Sequence, residues 1–430
     1  MNDLSALRSS LKTMSTQIGI LYHVVKIPRM NLDPCLHSYG VWPSDTSFLT
    51  REKFQGRSSG CGFKWKDSVL STIGETLERY APTFYNPSEG IVSSYKDLNK
   101  PAINPSECAL YNPVQLESDR ISAVPFNEDT VLTWFETLDL TTGENVWMPG
   151  QMIYMPFSLD PHYITANTST GLAAHTNYYK AILTGLYEVI ERDSFVITWA
   201  QNIVPQKIII SDEIQSYLSK HFPVKYEWHF FDITYDLEVP SIFGICFGEA
   251  DFGKFVAVGT STRSTFGGAL QKVIQEIAQA IPYFRYLLGE KKDWIPNDDF
   301  YFIQDFEAHS ILYLKRPDLL SVFDKWRLAK PEKSIELYEQ ESRSDKEIIR
   351  NILQVFKSKN YPVLFKDITT VDIRQLGFFS IKIYVPQLIP LSGTYPLYYY
   401  GGNRLFSVPE KMGYTSNDYQ NLNTYPHPFP

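Results

Sequence analysis

Two segments of this sequence repeat the same order of polar residues. Residues 71–79 and 184–192 both read [ST]-x-x-x-E-x-x-E-R and lie 113 positions apart. On a helix, positions separated by three or four residues share a face, so each segment places two carboxylates beside one guanidinium. These groups are Glu75, Glu78 and Arg79 in the first segment and Glu188, Glu191 and Arg192 in the second.

A third segment repeats part of this pattern. Glu276 and Gln279 stand three residues apart, and Lys272 lies one turn before Glu276. Each of the three segments follows a loop of small residues, at 58–62, 167–171 and 260–268. Backbone N–H groups at the start of a helix are common donors to phosphate, so each loop is a candidate phosphate-binding element.

The chemistry of such a set depends on whether the helices converge. Four glutamates that meet in a partly dry site repel one another by several kcal/mol unless cations balance them, and hard divalent cations with oxygen ligands usually do so. The pattern therefore predicts Mg²⁺, with arginines and loop N–H groups available to a triphosphate. A single E-x-x-E-R is common on solvated helix faces, but its repetition beside similar loops disfavours that explanation. The sequence contains no Walker-type or kinase phosphate loop.

Composition and charge exclude several other classes of protein. The chain has 430 residues, 43% of them hydrophobic and 20% charged, which is typical of a folded protein of two or three units. A net charge of −8 without a basic cluster argues against nucleic acid as a partner. The four cysteines form no Cys-x-x-Cys pair, and no apolar stretch approaches the ~18 residues of a membrane span. We therefore expect a cytoplasmic protein.

The elements that must position these motifs can be predicted from periodicity. Apolar faces opposite the polar stripes, through Ile73 and Leu77 in one helix and Leu186 and Ile190 in the other, would hold both helices on a sheet. Further predicted elements are a short helix over 4–14, a strand over 19–25, a surface excursion over 86–128, a hairpin turn at 139–143, a helix over 346–357 and strands at 363–365 and 379–385.

On these motifs, taken in order, the chain resembles the YcaO family between about residues 55 and 390. The resemblance adds the segment 169–174 before the second helix and the late segments 367–370 and 385–388. It implies an α+β class of YcaO-type ATP-binding fold, in which mixed sheets carry three helices around Mg-ATP. The domains expected from it are an N-terminal lead-in over 1–54, a catalytic domain over 55–400 with a subdomain boundary near 294–341, and a C-terminal tail over 401–430.

The resemblance also assigns roles to residues. The metal-binding positions are Glu75, Glu78, Glu188, Glu191 and Glu276. The positions on or beside the nucleotide are Ser71, Arg79, Thr176, Arg192, Lys272 and Gln279. Two positions depart from the family pattern: Cys61 stands where a lysine is frequent, and Lys272 stands where an arginine is frequent.

The last residues resemble the tail of the azoline-forming members of the family. Residues 426–430 read P-x-P-x-P, and alternating prolines lower the ordering cost of threading a chain into a site. The expected catalytic base is the carboxylate of Pro430, with His427 as the second candidate. The alternative is a solvated polyproline tail or a ligand for an aromatic groove.

The resemblance predicts an ATP- and Mg²⁺-dependent cyclodehydratase that forms thiazolines or oxazolines from Cys, Ser or Thr of a ribosomal precursor peptide by phosphorylating the backbone amide. The partners it implies are that peptide, a separate leader-binding docking protein of the ubiquitin-activating type, a flavin dehydrogenase as a further candidate, and a second copy in a homodimer. The alternatives are a YcaO enzyme that forms thioamides or amidines, and a non-catalytic scaffold that binds ATP or a peptide.

Overall fold

The computed structural model describes residues 5, 8, 11–15, 19–47, 49–50, 52, 57–118 and 120–429. The strands are β1 Leu21–Ile27, β2 His37–Pro43, β3 Ser58–Gly62, β4 Ile91–Ser94, β5 Val131–Asp139, β6 Asn145–Pro149, β7 Leu172–His175, β8 Gln206–Ile208, β9 Glu227–Asp232, β10 Ser241–Ala250, β11 Gly253–Thr262, β12 Pro331–Lys333, β13 Leu364–Asp367 and β14 Phe379–Tyr384.

The α-helices are α1 Trp65–Tyr80, α2 Pro113–Leu116, α3 Tyr178–Ala200, α4 Asp212–His221, α5 Phe266–Glu290, α6 Phe306–Lys315, α7 Asp324–Arg327, α8 Asp345–Ser358, α9 Val371–Gln375 and α10 Arg404–Lys411. Short 3₁₀ turns are Leu11–Thr13, Ala81–Thr83, Pro87–Glu89, Pro105–Glu107, Gly150–Met152, Pro317–Phe323 and Tyr419–Asn421.

The strands form three sheets. A three-stranded sheet has the order β1-β2-β3, and a five-stranded sheet has the order β11-β10-β9-β8-β12. A six-stranded sheet has the order β4-β5-β13-β14-β7, with β6 also paired to β5. The paired strands are antiparallel except β12 with β8. This mixed arrangement of helices and sheets is the α+β class predicted from the sequence.

Helix α3 packs against two sheets. Its first half, through Ala181, Leu186 and Ile190, packs on Ile381 and Ile383 of the six-stranded sheet. Its second half packs on one face of the five-stranded sheet, where the buried residues include Phe195, Ile197, Phe231, Phe243, Ile245 and Val258. Helix α5 covers the opposite face of that sheet, and α1 packs on β3 and β7. Helix α3 therefore contacts both edge strands, β7 of the six-stranded sheet and β11 of the five-stranded sheet.

Most of the element predictions are confirmed. The helix over 346–357 is α8, the strands near 363–365 and 379–385 are β13 and β14, and the turn at 139–143 joins β5 to β6 with Gly143 at φ +81°. The excursion over 86–128 is not purely surface, because it contains β4 and α2 and buries Leu98 and Tyr111. In the predicted helix over 4–14, Leu4 and Leu7 lie outside the described residues, and 11–13 form a 3₁₀ turn.

Both ends of the chain contribute to the folded body. In the lead-in, β1 and β2 form one sheet with β3 of the expected catalytic domain. Within 401–429, Leu405, Val408, Leu422 and Phe429 join the core that surrounds the second half of α3. The segment near 294–341 supplies β12 to the five-stranded sheet. The domain boundaries drawn from the sequence stay a prediction.

The described helices and cysteines bear on membrane insertion and disulfide bonding. No described helix has both the length and the apolar character needed to cross a membrane. The four cysteines, all of them described, are unpaired thiols.

Candidate functional site

The first polar stripe lies on the second half of α1, which is held close to β3. A Cβ on Gly60 would lie 2.2 Å from the backbone nitrogen of Thr72, so only glycine allows this approach of helix and strand. The guanidinium of Arg79 donates to Oε1 of Glu75 from Nε and from Nη2, at 3.1 Å each. Its Nε also lies 3.9 Å from Oε1 of Glu78. Arg79 thus holds the two carboxylates of its own stripe.

Glu78 is the most perturbed acid of this stripe. Burial raises its pKa well above the ordinary value, and the carboxylates of Glu75 and Glu188 raise it further, while Arg79 and Lys382 oppose them. Because Glu188 belongs to α3, the carboxylates of the first and second stripes are close enough to influence each other electrostatically.

Glu188 ties the second stripe to the loop that precedes β7. The backbone N–H of Gly171 donates to its Oε2 at 2.9 Å, and Nη2 of Arg192 lies 3.7 Å from its Oε1. Gly171 has φ +85°, and a Cβ there would lie 2.0 Å from the carbonyl oxygen of Ile383. Glycine is therefore required where this loop turns into the site.

Glu191 reaches the other sheet. The hydroxyl of Thr260 donates to its Oε1 at 3.0 Å and the N–H of Thr262 donates to its Oε2 at 3.1 Å, so the helix is fixed to the edge strand β11. Burial raises the pKa of Glu191 to about 7, against the lowering effect of Arg192, and Glu276 raises it further. The second and third stripes therefore also meet.

The third stripe lies on α5, which begins at the cap residue Thr265. Nζ of Lys272 is 3.6 Å from Oε1 of Glu276. The side chain of Gln279 bridges to β3, accepting from the thiol of Cys61 at 2.9 Å and donating to Oγ of Ser59 at 3.0 Å. Burial raises the pKa of the Cys61 thiol, so it is held as a neutral donor.

Two predicted nucleotide residues lie at the rim. Ser71 is exposed on α1, one helical turn before Glu75. Thr176 is half-buried and directly follows β7. Their assignment beside the nucleotide rests on the family resemblance, and it stays a prediction.

Two cations in this cluster were missed at the sequence level. Lys382 on β14 is 1% exposed, and its Nζ donates to the carbonyls of Thr168 and Thr170 at 2.9 and 2.8 Å. Burial lowers its pKa to about 8, while Glu188 and Glu78 act to raise it. The local pattern gave no signal for Lys382, because alternation with Ile381 and Ile383 normally places a lysine on the solvent side of a strand.

Arg263 is the second missed cation. It follows β11, donates from Nη1 to the carbonyl of Thr262 at 2.6 Å, lies 5.6 Å from the ring centroid of Tyr187, and lowers the pKa of Glu191. With these two, cations lie among the carboxylates of the cluster and oppose part of the repulsion between the glutamates.

The C-terminal tail packs against this cluster. Residues 426–429 are buried, and the ring of Phe429 lies 4.2 Å from the guanidinium carbon of Arg192. Tyr313 donates from its hydroxyl to the carbonyl of Pro426 at 2.6 Å, and Nδ1 of His309 bonds the carbonyl of His427 at 2.8 Å. The tail is therefore part of the fold and is not a solvated extension. Pro430 itself lies outside the described residues.

His427 holds the tail with both ring nitrogens. Its Nε2 donates to the carbonyl of Ser392 at 2.8 Å, and its Nδ1 accepts from the N–H of Phe429 at 3.3 Å. It stacks on His309 with ring centroids 3.9 Å apart. Burial lowers the pKa of His427 well below its usual value, and the neighbouring His309 lowers it further. The imidazole is thus neutral and already hydrogen-bonded.

A buried ion network fixes the next turn of α3. Arg404 of α10 donates to Asp193 from Nη2 at 2.7 Å and to Asp236 from Nη2 at 2.8 Å. Asp193 also accepts from the N–H of Ile389 at 3.0 Å. Asp193, which follows Arg192, is therefore held in place by hydrogen bonds from Arg404 and Ile389.

The donor set fits Mg²⁺ and a polyphosphate. Among the described residues, no three His, Cys, Asp or Glu side chains form a ready-made metal cage. Mg²⁺ does not require one, because it commonly binds one or two carboxylates together with water and phosphate oxygens. Among the residues that the structure describes, none accepts a hydrogen bond from the buried Nη1 of Arg192, so this donor is a candidate for a ligand oxygen.

The sequence matches the profile of a family described as YcaO cyclodehydratase, ATP- and Mg²⁺-binding, over residues 59–389. No curated protein matches the chain at a significant level. A heterocyclase solved with substrate and cofactor is similar over 100% of this chain and 57% of its own, with 19% identity and a TM-score of 0.76. The heterocyclase TruD is similar over 84% of this chain and 50% of its own, with 20% identity and a TM-score of 0.63.

A YcaO protein from Methanopyrus kandleri bound with AMPPCP and Mg²⁺ is similar over 86% of both chains, with 15% identity and a TM-score of 0.60. A chain of the Escherichia coli microcin synthetase McbBCD complex with pro-MccB17 bound gives 17% identity and a TM-score of 0.57, over 87% of this chain and 90% of that one. At these identities the structures establish a shared fold. The present chain spans about half of the two heterocyclase chains.

Proposed function

Because this chain belongs to the family of YcaO cyclodehydratases, which bind ATP and Mg²⁺, we propose that it converts Cys, Ser or Thr of a ribosomal precursor peptide to azolines. The side-chain sulfur or oxygen loses its proton and attacks the preceding amide carbon, which closes the ring. The resulting oxyanion takes the γ-phosphoryl group of ATP and ADP leaves; loss of phosphate and of the amide N–H proton then forms the C=N bond of the azoline. The observation that carries the proposal is the buried tail, whose Phe429 lies on the guanidinium of Arg192 inside the carboxylate cluster.

The residues of the cluster have distinct parts in this proposal. Glu75, Glu78, Glu188, Glu191 and Glu276 would hold Mg²⁺, which neutralises phosphate charge when it is bound. Arg79, Arg192 and Lys272 would bind phosphate oxygens, while Gln279, Ser71 and Thr176 line the nucleotide. Positioning and charge neutralisation dominate phosphoryl transfer, which suits a site made of carboxylates and guanidinium groups.

The base is proposed to come from the tail. Since both ring nitrogens of His427 are used to hold the tail, we propose that His427 positions the following residues and that the carboxylate of Pro430 accepts the proton. Pro430 lies outside the described residues, so support for this role comes from the placement of its neighbour Phe429.

The proposed partners are inferred from solved structures that are similar to this chain. The microcin synthetase was solved as a complex with a peptide bound, which supports a peptide substrate and partner chains here. We propose as further partners a docking protein of the ubiquitin-activating type and a flavin dehydrogenase. We also propose that the chain forms a homodimer and is located in the cytoplasm.

Phosphate release and peptide mass together test the function. The expected result is phosphate release that depends on precursor peptide and partner, with a loss of about 18 Da of water per ring. A thioamide former would change the mass differently, and a scaffold would release no phosphate. Glu78→Gln should abolish both signals, and an active Glu78→Gln variant would refute the assignment of the cluster.

A further inference from the structure

Helix α8 carries a stripe of cations on its exposed side, remote from the carboxylate cluster. Lys346, Arg350 and Lys357 stand at intervals of four and seven residues, so they point the same way. They line a groove of about 350 Å³ whose other walls include Leu140, Tyr179 and Leu353. Nζ of Lys346 lies 4.5 Å from the ring centroid of Tyr179. The groove therefore combines an apolar floor with a positive rim.

The positive rim is not neutralised by the chain. Within the part of the chain that the structure describes, no carboxylate forms an ion pair with these three cations, and none lines the groove. Glu347 of the same helix accepts from the N–H and hydroxyl of Ser344, which lowers its pKa, and the charge of Arg350 lowers that pKa further without forming an ion pair. In a chain of net charge −8, an unpaired basic stripe along a concave surface is a specific feature.

The dimensions suit an extended peptide. Lys346 and Lys357 are eleven residues apart, which is about 16 Å along a helix and corresponds to roughly five residues of extended chain. A narrow groove of this size admits one or two apolar side chains. A docked globular protein would instead need a broad surface of about 800 Å² on each partner.

The groove lies on a different face of α3 from the carboxylate cluster. Tyr179 and Glu188 are nine residues apart on α3, so they lie on opposite faces of the helix and about 14 Å apart along its axis. A peptide that occupies both places must therefore carry its docked segment at least about five residues from the residue that is modified.

We propose that this groove binds an acidic segment of the peptide substrate, with apolar side chains on the floor and carboxylates on Lys346, Arg350 and Lys357. This inference rests on the proposed function for the identity of its occupant. It adds a recognition site on this chain that is distinct from the Mg-ATP cluster.

The test uses fluorescence polarisation with a short fluorescein-labelled peptide that alternates Glu and Leu, and with a matched probe that has Lys in place of Glu. The full chain should bind the acidic probe, and K346E/R350E/K357E should weaken binding about tenfold or more. The control K225E/K254E/K411E makes the same change of charge at exposed lysines elsewhere and should weaken binding less than about twofold. Both variants alter surface residues and should keep the thermal midpoint of the wild type.

Several outcomes would overturn the proposal. Equal weakening in both triple variants would show a general charge effect, and no binding by the wild type up to about 1 mM would remove the site. Full displacement of the probe by inorganic phosphate would indicate an anion site with no peptide specificity. Self-association of the wild type that is lost in K346E/R350E/K357E, without probe binding, would assign the groove to a second copy. The assay contains no nucleotide, so a failure of cyclodehydration alone would count against the proposed function and leave the groove standing.

Discussion

Replacing Glu191 by Gln should change how the stability of the protein depends on pH. The pKa of Glu191 rises from 4.5 to about 7 on folding, so the folded state favours the protonated acid. Its contribution to stability is fully present below the unfolded value of 4.5 and is lost as the pH rises through about 7. At 1.36 kcal/mol per pKa unit, the loss amounts to about 3 kcal/mol.

Because Gln does not ionise, the free energy of unfolding of Glu191→Gln should not fall in this way as the pH rises. A Gln amide can keep its oxygen on the N–H of Thr262 and donate its NH₂ to the hydroxyl of Thr260, which can also accept, so the substitution itself adds no cost that varies with pH. The quantity to compare is the free energy of unfolding of the wild type minus that of the variant, measured at about pH 8 and at about pH 5. We expect this difference to change by about 3 kcal/mol between the two pH values, with the variant relatively more stable at pH 8.

Urea unfolding followed by tryptophan fluorescence at the two pH values measures this shift. Glu249→Gln is the matched control, since it removes an exposed glutamate on β10 and should shift by less than about 0.5 kcal/mol. If Glu191→Gln behaves like Glu249→Gln, then Glu191 is ionised without penalty in the fold, and the description of a desolvated, interleaved cluster is wrong.

Three further predictions concern residues around the cluster. Lys382→Met leaves two buried carbonyls without a donor, so it should lower the unfolding free energy by about 2–4 kcal/mol and abolish ATP hydrolysis, whereas Lys366→Met, its register neighbour on β13, should do neither. Arg404→Leu strands the buried carboxylate of Asp193 and should cost about 3–5 kcal/mol in urea unfolding; a cost below about 1 kcal/mol would contradict the buried network. Phe429→Ala should reduce ring formation at least about tenfold and leave nucleotide affinity unchanged, and a variant with full ring formation would remove the tail from the proposed mechanism.

The sequence contained the local part of the site. The spacing of Glu75, Glu78 and Arg79 sets which side chains share a helix face, and Arg79 contacts both carboxylates of that face in the structure. Local periodicity also gave α8, β13 and β14 with nearly correct limits. Each of these predictions depends only on residues that are close in the chain.

The remaining features depend on residues that are distant in the chain. Lys382 lies about 300 positions after Glu78, and nothing near either residue indicates that they meet. The pairing of Asp193 with Arg404 joins residues 211 positions apart. The sequence also led us to expect a cluster of glutamates that needed outside cations, because the inward direction of Lys382 and Arg263 is set by sheet packing. The sequence left a solvated polyproline tail open as the alternative, yet Phe429 is only 6% exposed.

The long-range locking of α3 has a consequence for biosynthesis. The helix is made midway through translation, but Arg404, the partner of Asp193, follows 211 residues later. At about 5–20 residues per second, the ribosome needs roughly 10–40 s to deliver it. Asn423, which donates to the carbonyl of Ala200 at 2.7 Å, arrives later still. Until Arg404 and Asn423 have been synthesised, α3 lacks these two contacts, so the helix that carries Glu188 and Glu191 is fixed in the fold only after they have been added.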